Sequence, residues 1–196
     1  MPQPDTPLTI DRIIATAEDV IRRFGPDKAT VSDVARALGV SHAAVHKHVG
    51  TKSELRDLVV GRWMEVMMPP LREIVVERGP APKRLRRLME TLMAIKRRRA
   101  TDDPELFAAY RTLALGARSV VAVHIEELVS LIAVVIRSGI AEGSMRKLDP
   151  VAAGKAVLLA TSRFHHPLHA DEWSDPNIDT TFDDVWRLLM HGLVIE

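Results

Sequence analysis

Apolar residues recur at helical spacing along almost the whole chain, and no stretch alternates with a period of two for long enough to predict a sheet. The pattern predicts an all-α fold. A first helix is expected from about Thr9 to Phe24, with Ile10, Ile13, Ile14, Ala17, Ile21 and Phe24 on one stripe and Gly25-Pro26 as its stop. Thr30 then caps a short second helix, Val31 to Leu38, whose buried face is Val31, Val34, Ala35 and Leu38; Asp33 stands where a carboxylate favours a helix start. In Leu38-Gly39-Val40-Ser41, Gly39 supplies the left-handed residue after a helix end and Ser41 caps the next helix. That third helix, His42 to about Val49, is too short to stand alone and must be held by packing of Ala44, Val45 and His48. Thr51 and Glu54 form a capping box for a fourth helix, which Pro69-Pro70 is expected to break near Met68.

Beyond residue 70 the punctuation predicts fewer, longer helices: Leu71 to Arg78, Pro82 to Ala100, Pro104 to Gly116, Arg118 to Glu142, Pro150 to Phe164 and Thr181 to Val194, with a long connection from His165 to Asp179. This division implies a helix-turn-helix module over 1–55, its fourth helix connecting to about 68, and a larger helical domain over 56–196.

Composition changes the picture at three points. The 196 residues allow one large or two small domains. Twenty-seven Lys and Arg against 26 Asp and Glu leave a net charge of +1, so affinity for a polyanion has to come from local placement. With no cysteine there is no disulfide scaffold, thiolate metal site or cysteine nucleophile, which suits a reducing cytoplasm. Met1 to Pro7 lacks the basic and apolar regions of a signal peptide, and the apolar run free of charge and proline from about Leu128 to Ile136 falls short of a bilayer span; a cytoplasmic protein with no membrane partner is expected.

A helix-turn-helix sets the first residues of its second helix against base edges while its first helix crosses the phosphate backbone. Here the presented face would be Ser41, His42, Ala43, His46 and Lys47, with Thr30 and Lys52 at helix starts where phosphates can be met. Thr30 through Leu55, TVSDVARALGVSHAAVHKHVGTKSEL, resembles the DNA-binding domain of TetR-type transcriptional repressors, and Ile13-Ile14, Thr16-Ala17, Val20-Ile21 and Gly25 resemble that family's first helix. Two positions depart from the family pattern: His46 stands in place of tyrosine and Val49 in place of phenylalanine, so the tyrosine's phosphate contact falls to the imidazole or to Lys47. The resemblance implies a repressor that binds a palindromic operator as a homodimer and releases it when a small effector occupies the second domain. It implies no catalysis and no cofactor.

Other constellations admit plainer readings. Of His42, His46 and His48, the first two have metal-ligand spacing, but with no carboxylate between them and no third ligand the three are read as facing DNA or packed. The basic run Lys83, Arg84, Arg86, Arg87 and Lys96 to Arg99 reads as a solvated helix surface answering the acidic segment Asp171 to Asp184. His165, His166 and His169, with Asp171 or Glu172, could bind a metal and would support the rival reading of an all-α enzyme or metal-binding protein; Pro167 interrupts the helical spacing, which favours a helix end and a turn. Trp63, Met67, Met89, Met93, Phe107, Tyr110 and His124 are candidate effector-pocket residues, against the alternative that each is ordinary core. Small residues over about 150–164 and the broad apolar surface over 181–194 predict the homodimer contact.

Overall fold

The computed structural model describes residues 7–195; the signal-peptide reading of Met1 to Thr6 lies outside the described residues. Among the described residues are eleven α-helices and no strand: α1 (Ile10–Phe24), α2 (Val31–Leu38), α3 (His42–His46), α4 (Lys52–Glu65), α5 (Met68–Val76), α6 (Ala81–Asp102), α7 (Pro104–Gly116), α8 (Arg118–Ala141), α9 (Pro150–Ala160), α10 (Ser162–His165) and α11 (Ile178–Leu193). Short 3-10 turns occupy Pro26–Lys28 and Pro167–Glu172. The all-α expectation is met.

The helix starts lie where side chains can satisfy free amides. Thr9, Thr30, Ser41 and Thr51 each accept a hydrogen bond from the backbone N–H three residues on, at 3.1–3.2 Å. At α4 the box closes from the other side, Glu54 accepting from the N–H of Gly50 at 2.7 Å. Gly39 ends α2 at φ 69°, the left-handed region where a Cβ would be strained.

Several boundaries differ from the expectation, and at three of them the local reason is plain. Pro69 and Pro70 stand in the first turn of α5, where their missing N–H groups are not needed, so they open a helix as well as following α4. The third helix stops at His46 with only Val45 buried, and His48 is exposed, so His48 does not hold it. The helix expected through Phe164 is divided after Ala160, where the buried Thr161 turns its hydroxyl back onto the carbonyl of Val157 at 2.8 Å.

The chain forms two compact units, Met1–Val66 with Asp103–Ala122, and Met67–Asp102 with Val123–Glu196. In the first, Ile13, Ala17, Val34, Val45 and Val60 are fully buried among α1 to α4. Trp63 of α4 stacks on Tyr110 of α7, ring centroids 5.0 Å apart, with Phe107 tilted at 6.5 Å. In the second, Leu85, Leu88, Met89, Leu92 and Met93 of α6 share a core with Ile132, Val135 and Ile136 of α8 and with Phe164, Phe182 and Trp186. Gly154 lets α9 close on α8, since a Cβ there would lie 3.0 Å from the carbonyl oxygen of Val129. Helix α8 is long and apolar enough to cross a bilayer, which the charge-free run by itself does not reveal, yet in this fold it supplies Leu128, Val129, Ile132, Ala133, Val135 and Ile136 to the core.

Candidate functional site

The candidate interface is built on α2, the turn after it and α3. Val31, Val34, Ala35 and Leu38 of α2 and Val45 of α3 are buried, which fixes the pair and leaves the start of α3 outward. Ser41, His42, Ala43, His46 and Lys47 are all exposed. Ser41 spends its hydroxyl on the N–H of Ala44 at 3.2 Å as the cap of α3. The rings of His42 and His46, one turn apart, lie 5.6 Å from each other. Ala43 between them keeps that surface low enough for close approach of another backbone or base edge.

The flanking helix starts carry the two remaining residues. Thr30 caps α2 and is also hydrogen-bonded to the Asp33 carboxylate; that hydroxyl, first, and then Arg36 hold Asp33 below the usual carboxylate range. Lys52 at the start of α4 is exposed and donates to the backbone carbonyl of Asp27 at 3.1 Å. This bond ties the start of α4 to the turn after α1. Val49, the other departure from the expected pattern, is 1% exposed and so acts as core.

The seven candidate effector-pocket residues are all buried. Trp63, Phe107 and Tyr110 form the aromatic cluster of the first unit, whereas Met67, Met89, Met93 and His124 belong to the second. Cavities lined by other residues occur in both units. In the first, one of about 190 Å³ is bounded by Ile21, Leu55, Val59 and Leu113 with Lys52 and Arg56. In the second, a groove of about 460 Å³ runs along α8 and α9.

The histidines near 165 are separated by the fold. His165 is 4% exposed and its Nε2 lies 3.2 Å from the carbonyl of Leu158, whereas His166 is exposed. Burial, first, and the charge of Lys96 push His165 down to about 3, so it does not serve as a charged helix end. His169 contacts Glu172 at 2.7 Å, and Glu172 also accepts from Arg163 at 2.7 Å. Among the described residues no group of three His, Asp or Glu side chains is arranged to hold a metal ion.

The basic helix answers the acidic segment as expected, through Arg86 to Asp183 and Arg97 to Asp179, the latter at 2.7 Å. Two members of the run are not solvated. Arg84, 7% exposed, bridges the carbonyls of Val75 and Gly79 to Ser138 and Glu142. Lys96, 8% exposed, continues the buried stripe of α6, a placement that the spacing from Leu85, Leu88, Leu92 and Met93 signals and the charge pattern hides.

Two family profiles match the chain. One, described as "Bacterial regulatory proteins, tetR family", covers residues 13–59. The other, described as "Tetracyclin repressor-like, C-terminal domain", covers residues 81–186, more than half of the chain. No curated protein sequence matches. Among solved structures, a TetR transcription regulator from Haloarcula marismortui superposes with a TM-score of 0.71 at 20% identity, over 93% of this chain and 97% of its own. SmeT, the repressor of the Stenotrophomonas maltophilia multidrug efflux pump SmeDEF, gives 0.70 at 16% identity, over 96% and 92%. The regulator FadR from Bacillus subtilis in complex with stearoyl-CoA gives 0.64 at 16% identity, over 94% and 99%. At these identities the likeness is one of fold.

Proposed function

The chain belongs to the TetR family of DNA-binding transcription regulators, and from that premise we propose that it is a ligand-responsive repressor that binds a palindromic operator as a homodimer in the cytoplasm. The observation that carries the proposal is the exposed face at the start of α3, held outward by buried Val45 and by the Ser41 cap. In this reading His42, Ala43 and His46 meet base edges, and Ser41, Lys47, Thr30 and Lys52 meet phosphates. The module over 1–55 does the binding, with α4 as its connection to the rest.

A chain with one recognition helix reads a two-fold operator only as a pair, so a second copy is required. The face of α9 formed by Ala152, Lys155, Ala156, Leu159 and Ala160 is exposed at helical spacing, small and mostly apolar. Leu188 of α11 is 75% exposed and Leu159 73%. These surfaces are the proposed contact between copies. Phe182, Trp186 and Leu193 are core within one chain, and Val185, Leu189 and Met190 pack against that core.

The effector role is assigned to the second unit, where Met67, Met89, Met93 and His124 supply adaptable apolar surface with one imidazole. The stearoyl-CoA held by the Bacillus subtilis regulator supports a ligand-responsive reading of this fold. Effector binding that favours a state with mis-spaced recognition helices lowers operator affinity by its differential affinity for the two states.

The test is selection of duplexes from a random library by the full chain, repeated with Ala43→Glu. Residue 43 is exposed, so the variant folds while placing a carboxylate against DNA. Enrichment of an inverted repeat by the parent and its loss in the variant are expected. Absence of any enriched duplex, or equal binding by Ala43→Glu, overturns the assignment.

A further inference from the structure

Helix α8 is apolar enough for a bilayer, yet only 39% of the 18-residue window that makes it so is buried within this chain. Much of its apolar surface therefore lacks a cover. Val123, Glu126, Ser130, Val134 and Arg137 are all exposed at spacings of three and four residues, which places them on one stripe. Along one edge of that stripe α9 closes on α8 through Gly154, and the two helices bound the groove of about 460 Å³. Ile125 of α8 and Val151 and Leu159 of α9 stand exposed on its walls. Glu126 and Arg137 line the same groove, and among the described residues neither makes an ion pair or a side-chain hydrogen bond. A bilayer suits this face poorly, because two ionised groups in the middle of the stripe are costly in lipid. Opposite charges at two ends of an otherwise neutral stripe suit a second copy of the same stripe, reversed.

We propose that α8 pairs antiparallel with α8 of a second copy, about a two-fold axis midway between Glu126 and Arg137. At 1.5 Å rise per residue the two charges lie about 16 Å apart along the helix. Glu126 then meets Arg137 of the partner subunit at one end of the crossing, and Arg137 meets Glu126 of the partner subunit at the other. The centre is left to Ser130, whose small side chain permits close approach. A parallel pair would set glutamate on glutamate and arginine on arginine, so charge selects the antiparallel one. Burial of the apolar walls supplies the affinity, whereas exposed ion pairs supply direction more than strength. Lys155, the remaining charge of the groove, is exposed on α9, and its stem can lie on apolar surface while the ammonium stays in water. Through Leu159 and Lys155 this surface continues the α9 face described above. The assignment rests on the reading that the regulator acts as a pair, and it adds the helix and the register through which the copies meet.

The experiment is sedimentation equilibrium of the full chain at micromolar concentration, for the parent, Glu126→Arg, Arg137→Glu and the two combined. Both positions are exposed, so the variants fold. Each single reversal turns two attractive contacts into two repulsive ones and should weaken self-association about tenfold or more, while the combined variant should return to within about threefold of the parent. In a parallel pair neither reversal changes the sign of any contact, so restoration by the combined variant is specific to the antiparallel register. Single reversals that associate as the parent does, or a combined variant no better than either, overturn the proposal. A parent that floats with neutral phosphatidylcholine vesicles overturns it too, because the face then belongs to lipid. The two readings fail separately: a dimeric parent with harmless reversals refutes the α8 pairing and leaves a pair joined elsewhere, whereas a monomeric parent refutes the pair itself.

Discussion

His165 sets an acid limit on the second unit. The unfolded chain titrates this imidazole near 6.5, whereas burial and the Lys96 charge bring it to about 3 in the folded state. Between those values the unfolded state binds more protons, so stability falls as pH falls, by about 1.4 kcal/mol for each pH unit. Above pH 6.5 the contribution is fully present. At pH 5 about 2 kcal/mol of it is lost, and by pH 3 most of a total of about 5 kcal/mol. The group is 4% exposed, so solvent screening takes little from that figure. The perturbation that isolates it is His165→Gln, which keeps a donor for the carbonyl of Leu158, now 3.2 Å from Nε2, and removes the titration. Urea unfolding followed by fluorescence of Trp173 and Trp186 at pH 7.5, 6, 5 and 4 gives the two stability curves, and carboxylates common to both proteins cancel in their difference. The parent should lose about 2 kcal/mol more than the variant between pH 7.5 and 5. Parallel curves, or a parent that gains on acidification, would refute the buried neutral imidazole.

Lys52→Ala removes one exposed cation beside the recognition helix, so duplex affinity should fall for all sequences alike and the slope of log K against log salt should lessen by about 0.9; an unchanged slope removes Lys52 from the phosphate contacts. Leu159→Glu combined with Leu188→Glu places charge on two side chains exposed by 73% and 75%, so the fold should persist while light scattering at micromolar concentration reports monomers that no longer hold the operator. A double variant that stays dimeric refutes this contact surface, and a monomeric parent refutes the dimer.

The helix starts were legible because the signal is chemical and local: a Thr or Ser followed three residues later by a free N–H, as at Thr30, Ser41 and Thr51. At two later starts the first-turn prolines Pro104 and Pro150 carried the signal, and the structure adds the capping carboxylates of Asp103 and Asp149. Stops were less legible, because Pro69 and Pro70 are compatible with an end or a beginning and only packing of Met68 and Leu71 decides. The exposed face at Ser41, His42, Ala43, His46 and Lys47 was readable from spacing alone. Lys96 was not, since a run of four cations suggests a solvated surface and the fold uses them separately: 96 inward, 97 toward Asp179, 98 beside Asp102. The histidines near 165 were misleading in the opposite sense, adjacent in sequence but divided between interior and surface by the end of α10.

The division of the first unit between residues 1–66 and 103–122 has a consequence for the order of synthesis. Trp63 is made before Phe107 and Tyr110, the rings that pack on it, and α6 intervenes in the nascent chain. A domain that folds as its sequence emerges vectorially would here wait for some forty residues belonging to the other unit before its aromatic cluster closes. The helix-turn-helix is thus translated ahead of the helix that buttresses it. A fragment ending at Val66 would leave the ribosome with that indole still uncovered by α7.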